Sequence, residues 1–124
     1  MTIDRPTSLG DIKVTLDTVS AIVAEIALEC YGVVGLTPRN NNIGDQIMII
    51  LDKNKYSKAI ALKKLDKGYD LSLFLILAMN TKISEVISEV QKRVRYVLNS
   101  VFEKDFFAVN VFVQGLSDGN EVIK

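Results

Sequence analysis

Residues 81–103 read TKISEVISEVQKRVRYVLNSVFE. Within them Ile83, Val86, Ile87, Val90, Val94, Val97, Leu98 and Val101 recur only at steps of one, three or four. Such steps return side chains to one side of a 3.6-residue turn, so these residues predict a single apolar stripe along a long helix. Asn80 or Thr81 is placed to cap it. Lys82, Lys92, Arg93 and Arg95 fall on the outer side, mixed with Glu85 and Glu89. Glu89 and Arg93 stand four apart in the favourable order for an ion pair. At 1.5 Å per residue the helix spans about 33 Å.

The flanking segments supply the sheet that such a stripe must pack on. Residues 69–79 place Leu71, Leu73, Leu75 and Leu77 on one side of a strand and Phe74 and Ile76 on the other. Apolar residues on both sides predict a central strand with both faces covered. Residues 59–65 alternate weakly and predict its hairpin partner, with Asp66, Lys67 and Gly68 as the turn and Gly68 supplying a positive φ. After the helix, residues 106–114 alternate again. Phe107, Val109, Val111 and Val113 line one face, Ala108, Asn110 and Phe112 the other, and Gly115 ends the run. The strand aromatics Tyr69, Phe74, Phe107 and Phe112 sit among aliphatic neighbours and are expected in the core.

Toward the N-terminus, residues 1–8 read as a flexible arm. Ile12, Val14 and Leu16 then alternate with polar residues, as in a half-buried strand. Asp17 or Thr18 can cap a helix carrying Val19, Ile22, Val23, Ile26 and Ala27, which Tyr31 and Gly32 terminate. Gly32, Val33, Val34, Gly35 and Leu36 form a glycine-bracketed apolar stretch tucked under the domain. Residues 43–51 are ambiguous. Their β-branched content favours a strand, yet Ile43, Ile47, Ile50 and Leu51 share a helical face. The fold expected is α+β, in the order β-α-(α)-β-β-α-β. A four-stranded, mainly antiparallel sheet carries helices packed on one face. One domain covers residues 9–116, and residues 117–124 form a polar tail.

The composition removes many chemistries. There is no histidine and a single cysteine, Cys30, so Cys–His dyads and zinc clusters cannot be assembled within one chain. No phosphate-binding loop or dinucleotide fingerprint is present. The carboxylates Asp66, Asp70, Glu103 and Asp105 read as turn and cap residues. Cys30 lies beside the packed helix face, which predicts a buried, inert thiol in a reducing compartment. Fifteen basic and fifteen acidic residues cancel, which disfavours nucleic acid as a partner. Gly32-Val33-Val34-Gly35 matches a bare GxxG, but its valines suit burial better than a phosphate grip. The longest apolar run, residues 73–79, is far short of the roughly 18 or more residues that span a bilayer.

Several segments together carry a resemblance. They are Gly10-Asp11-Ile12-Lys13-Val14, Cys30-Tyr31-Gly32-Val33-Val34-Gly35-Leu36, Thr81-Lys82-Ile83-Ser84-Glu85-Val86, Val90-Gln91-Lys92-Arg93-Val94, and Val109-Asn110-Val111-Phe112-Val113-Gln114-Gly115. In this order, over residues 9 to 116, the chain resembles the alkaline shock protein family of Gram-positive bacteria and their relatives. Asn80 stands where members often carry glycine, and Glu103-Lys104-Asp105-Phe106 where they often have a Thr-Gly-Leu type turn.

The resemblance implies a cytoplasmic protein without enzymatic activity or cofactor, linked to cell-envelope stress or homeostasis. Its partners are other proteins, among them a membrane-anchoring one that would bring it to the membrane; a homo-oligomer is compatible with it. It also favours a helix for residues 43–51. An RNA-binding module of ferredoxin-like or KH-like topology is the alternative. Partner contact must use surface left over after folding. The candidates are Gly32, Val33, Val34 and Gly35, together with Lys82 at the start of the long helix.

Overall fold

The computed structural model describes residues 2–7, 10–39, 49–102, 105–118 and 122–123. Its elements in chain order are β1 (Thr2–Thr7), β2 (Gly10–Thr15), α1 (Leu16–Glu29), β3 (Val33–Leu36), β4 (Ile49–Ile50), a 3-10 helix (Lys53–Ala59), β5 (Ile60–Leu65), β6 (Gly68–Ala78), α2 (Ile83–Phe102), β7 (Ala108–Ser117) and β8 (Val122–Ile123).

Strand β6 organises the fold, as its two-sided apolar pattern requires. Along one edge it pairs antiparallel with β5, from Leu65↔Gly68 to Ile60↔Leu73. Further along it pairs antiparallel with β3, through Leu36↔Leu75, Gly35↔Ile76 and Val33↔Leu77. The other edge pairs parallel with β7. The four-stranded, mainly antiparallel sheet of an α+β fold is therefore present. Its fourth strand, however, is β3 and not the segment around Ile12. That segment, β2, pairs antiparallel with β1 in a separate two-stranded sheet. The arm expected at residues 1–8 thus contains a strand.

Both helices pack on the face of β6 that carries Leu71, Leu73, Leu75 and Leu77. These leucines are fully buried, together with Val19, Val23, Ala24 and Ala27 of α1 and Val90, Val94 and Leu98 of α2. The long-helix stripe is borne out except at its end. Val101 is 47% exposed, and Phe102 takes its place in the core beside Tyr69 and Phe106. Seven residues from Val94, Val101 keeps the stripe's direction to within about 20°, so its exposure comes from its place in the last turn of α2 and not from its side of the helix.

The opposite face corrects another expectation. Phe112 is 47% exposed and Phe74 half-buried, their rings stacked at 4.9 Å with an interplanar angle of 16°. Their neighbours in the strands, Leu73, Leu75, Val111 and Val113, take the helix-covered side. Period-two alternation therefore leaves this pair on the open side.

Three boundaries also differ. Helix α1 starts at Leu16, capped by Thr15, whose hydroxyl oxygen accepts from Thr18 N at 3.1 Å. Strand β7 runs through Gly115 to Ser117, absorbing a register shift opposite Leu75 and Ile76. Of residues 43–51, the first six lie outside the described residues. Ile49 and Ile50 are not helical; they pair parallel with Val122 and Ile123 of the expected polar tail.

Candidate protein-interaction site

The C-terminus of α1 turns sharply into β3, and the turn brings the end of one helix to the start of the other. Cys30 N donates to Ala27 O at 3.1 Å, closing the last helical turn. Gly32 follows at φ 94, a left-handed conformation that side-chain-bearing residues rarely adopt. Its carbonyl accepts from Ala78 N at 2.8 Å, which ties the turn to the end of β6. A Cβ on Gly32 would lie 2.7 Å from Val86 Cγ2 and 3.1 Å from Thr81 Cγ2. The glycine is therefore required twice, by its φ and by the close approach of α2.

Thr81 does not cap α2. Its hydroxyl donates to Ala78 O at 2.7 Å and braces the β6–α2 connection. The first helical bond runs from Val86 N to Lys82 O, so Lys82 marks the helix start. Around this junction Tyr31, Asn80, Thr81, Lys82, Glu85, Val86 and Glu89 line a shallow depression. Tyr31 is 84% exposed at its rim. Lys82 reaches Glu85 only at 4.0 Å, an exposed contact that holds neither side chain firmly.

Of the residues proposed from the sequence, Gly32 and Lys82 are brought together here. Val33 packs against the core, and Val34 is half-buried in β3. Gly35 is buried, and a Cβ on it would meet Ile50 Cγ2 at 2.6 Å. Val33 and Gly35 thus leave the candidate surface. The Val-Val-Gly-Leu stretch is a strand of the main sheet, which needs its backbone for pairing. The sequence marks Tyr31 as a helix terminator and no more. An aromatic immediately before a positive-φ glycine was the one signal that its ring would be swung outward.

Beside this surface Arg93 bridges the two helices through long, half-exposed ion-pair contacts. Arg93 lies 4.0 Å from Glu89 on its own helix, as the spacing predicted, and 3.7 Å from Glu29 on α1. Its guanidinium also lies 3.8 Å from Cys30 Sγ. Cys30 is buried and donates to Ile26 O at 3.4 Å. Burial pushes the thiol pKa up, and the opposing pull of Arg93 does not cancel it. A protonated, shielded thiol is a poor nucleophile. Among the described residues, no three of His, Cys, Asp and Glu converge as metal ligands.

Comparison with known proteins gives this architecture its relatives. Residues 4–117 match the model of the alkaline shock protein 23 family, described as having a cell envelope-related function. The chain belongs to that family. It is 30% identical over 116 residues to the uncharacterized protein YloU of Bacillus subtilis, covering 94% of this chain and 96% of that protein. It is 32% identical over 116 residues to an uncharacterized protein of Streptococcus pyogenes, covering 94% of this chain and 95% of that protein. No solved structure matches. Membership bears out the resemblance read from the sequence and fixes the role as cell envelope-related. Among the described residues, no helix is long and apolar enough to cross a membrane.

Proposed function

We propose that this chain is a non-enzymatic protein-interaction module serving cell-envelope stress or homeostasis, and that it contacts its partner through the surface around Tyr31 and Lys82. The observation that carries this reading is the Tyr31 ring, 84% exposed on a backbone that Gly32 holds in one conformation. Aromatic residues on rigid supports are favoured anchors of protein interfaces, because little conformational entropy is lost when they are covered. A sealed thiol and the lack of histidine give an enzyme little to work with.

The link to the envelope runs through a protein and not through lipid. The apolar stripe of α2 is consumed by the core, so inserting it into a membrane would sacrifice the fold. Its outer face mixes Glu85 and Glu89 with Lys82, Lys92, Arg93 and Arg95. Co-sedimentation of the purified protein with vesicles rich in anionic lipid tests this directly. The protein is expected to stay in the supernatant at physiological salt. Strong pelleting in the absence of any partner overturns the reading.

A further inference from the structure

A second groove lies on the far side of α2, between that helix and the outer edge of β7. Ser88, Gln91, Lys92, Arg95, Tyr96 and Asn99 form its helical wall, and Phe107 to Asn110 its sheet wall. Its volume is about 660 Å³, within the range of about 300–1,000 Å³ typical of ligand clefts.

Along this groove no second strand among the described residues pairs with β7, whose one strand partner there is β6. Gln91 Nε2 donates to Val109 O at 3.0 Å. A residue's N–H and C=O point to the same side of a strand, and the side alternates along it. The carbonyl taken by Gln91 therefore shows that Val109, Val111 and Val113 direct their backbone groups away from β6. The N–H of Val109 and both backbone groups of Val111 and Val113 offer an added strand its hydrogen bonds, while Gln91 holds the Val109 carbonyl. Residues 106–117 carry no charge and no proline, the features that ordinarily protect an edge from pairing.

The chemistry of the helical wall selects among occupants. Lys92 and Arg95 are exposed, make no ion pair among the described residues, and face no carboxylate in the groove lining. Tyr96, 74% exposed, offers a flat apolar contact beside them. We infer that this groove binds an extended acidic segment of a partner protein. The segment adds as a strand to the edge of β7 while its carboxylates meet Lys92 and Arg95. Strand addition between a sheet edge and a helix supplies affinity through the main chain, and alternate side chains supply selectivity. The inference rests on the reading of the chain as a protein-interaction module and adds a second contact to it.

The test uses the full chain and a fluorescent, acetylated and amidated heptapeptide, Thr-Glu-Val-Glu-Thr-Glu-Val, followed by anisotropy at low salt. Saturable binding is expected. It should weaken by about tenfold or more in the K92E/R95E variant, because both attractions become repulsions. It should also be lost when alternate peptide amides are N-methylated, which removes the ladder donors and keeps the charge. Equal binding of the methylated peptide, or tighter binding of a uridine oligonucleotide than of the peptide, overturns the inference. So does absence of binding to the wild-type chain. A variant altered at Tyr31 and Lys82 is expected to bind the peptide normally. Loss of peptide binding alone therefore leaves the Tyr31 surface standing.

Discussion

Val90→Asp is expected to cost more than about 3 kcal/mol of stability, a large share of what a domain of this size ordinarily has. Val90 is fully buried at the middle of α2, in one cluster with the leucines of β6 and the apolar face of α1. A carboxylate there must stay ionised without a partner, take up a proton at an energetic cost, or force the helices apart. Chemical denaturation should show a sharply lower midpoint for this variant. Val101→Lys on the same helix should stay within about 1 kcal/mol of the wild type, because that side chain already stands 47% exposed. A wild-type midpoint for Val90→Asp would remove the stripe from the core.

Gly68→Ala should be comparably damaging, at about 3 kcal/mol or more. Gly68 closes the β5–β6 hairpin at φ 139, a conformation that strains any residue with a Cβ. The added methyl would also overlap the carbonyl oxygen of Asp105. That oxygen belongs to the backbone, so no rotamer change relieves the overlap. The same carbonyl accepts from Tyr69 N at 2.8 Å, a bond that fastens the α2–β7 connection to the hairpin. Displacing it would loosen the connection as well. A thermal melt should show the Gly68→Ala transition sharply lowered and that of Lys67→Ala, at the exposed turn position next door, nearly unchanged.

Elements repeated over many residues were legible in the sequence. The eight-residue stripe of α2 and the two-sided pattern of β6 each repeat often enough to fix type and face. Gly68 was legible as a turn glycine, but its second constraint was not, because Asp105 lies far along the chain. Strand β3 escaped for a different reason. Four residues containing a glycine carry no period, and the strand exists because β6 offers it an edge. The exposure of Phe112 was hidden because its neighbours are as apolar as a core. Which face the helices cover is decided by the whole sheet, not by one strand. At the candidate site, Gly32 announced its conformation, and Lys82 could be singled out as a helix start. Their meeting through Thr81 and Val86, with Tyr31 at the rim, depended on how α1 and α2 come together.

A chain that acts by holding another protein at the Tyr31–Lys82 surface must lose that partner when both side chains are altered. The most direct measurement is quantitative co-purification from the native cell, comparing the tagged wild type with a Y31A/K82E variant. Both residues are exposed, so the variant should melt within a few degrees of the wild type. Recovery of an envelope-associated protein bound in constant proportion to the wild type should fall by about tenfold or more in the variant, as loss of an interface anchor requires. Undiminished recovery of that protein with a folded Y31A/K82E chain would place the partner contact elsewhere than Tyr31 and Lys82.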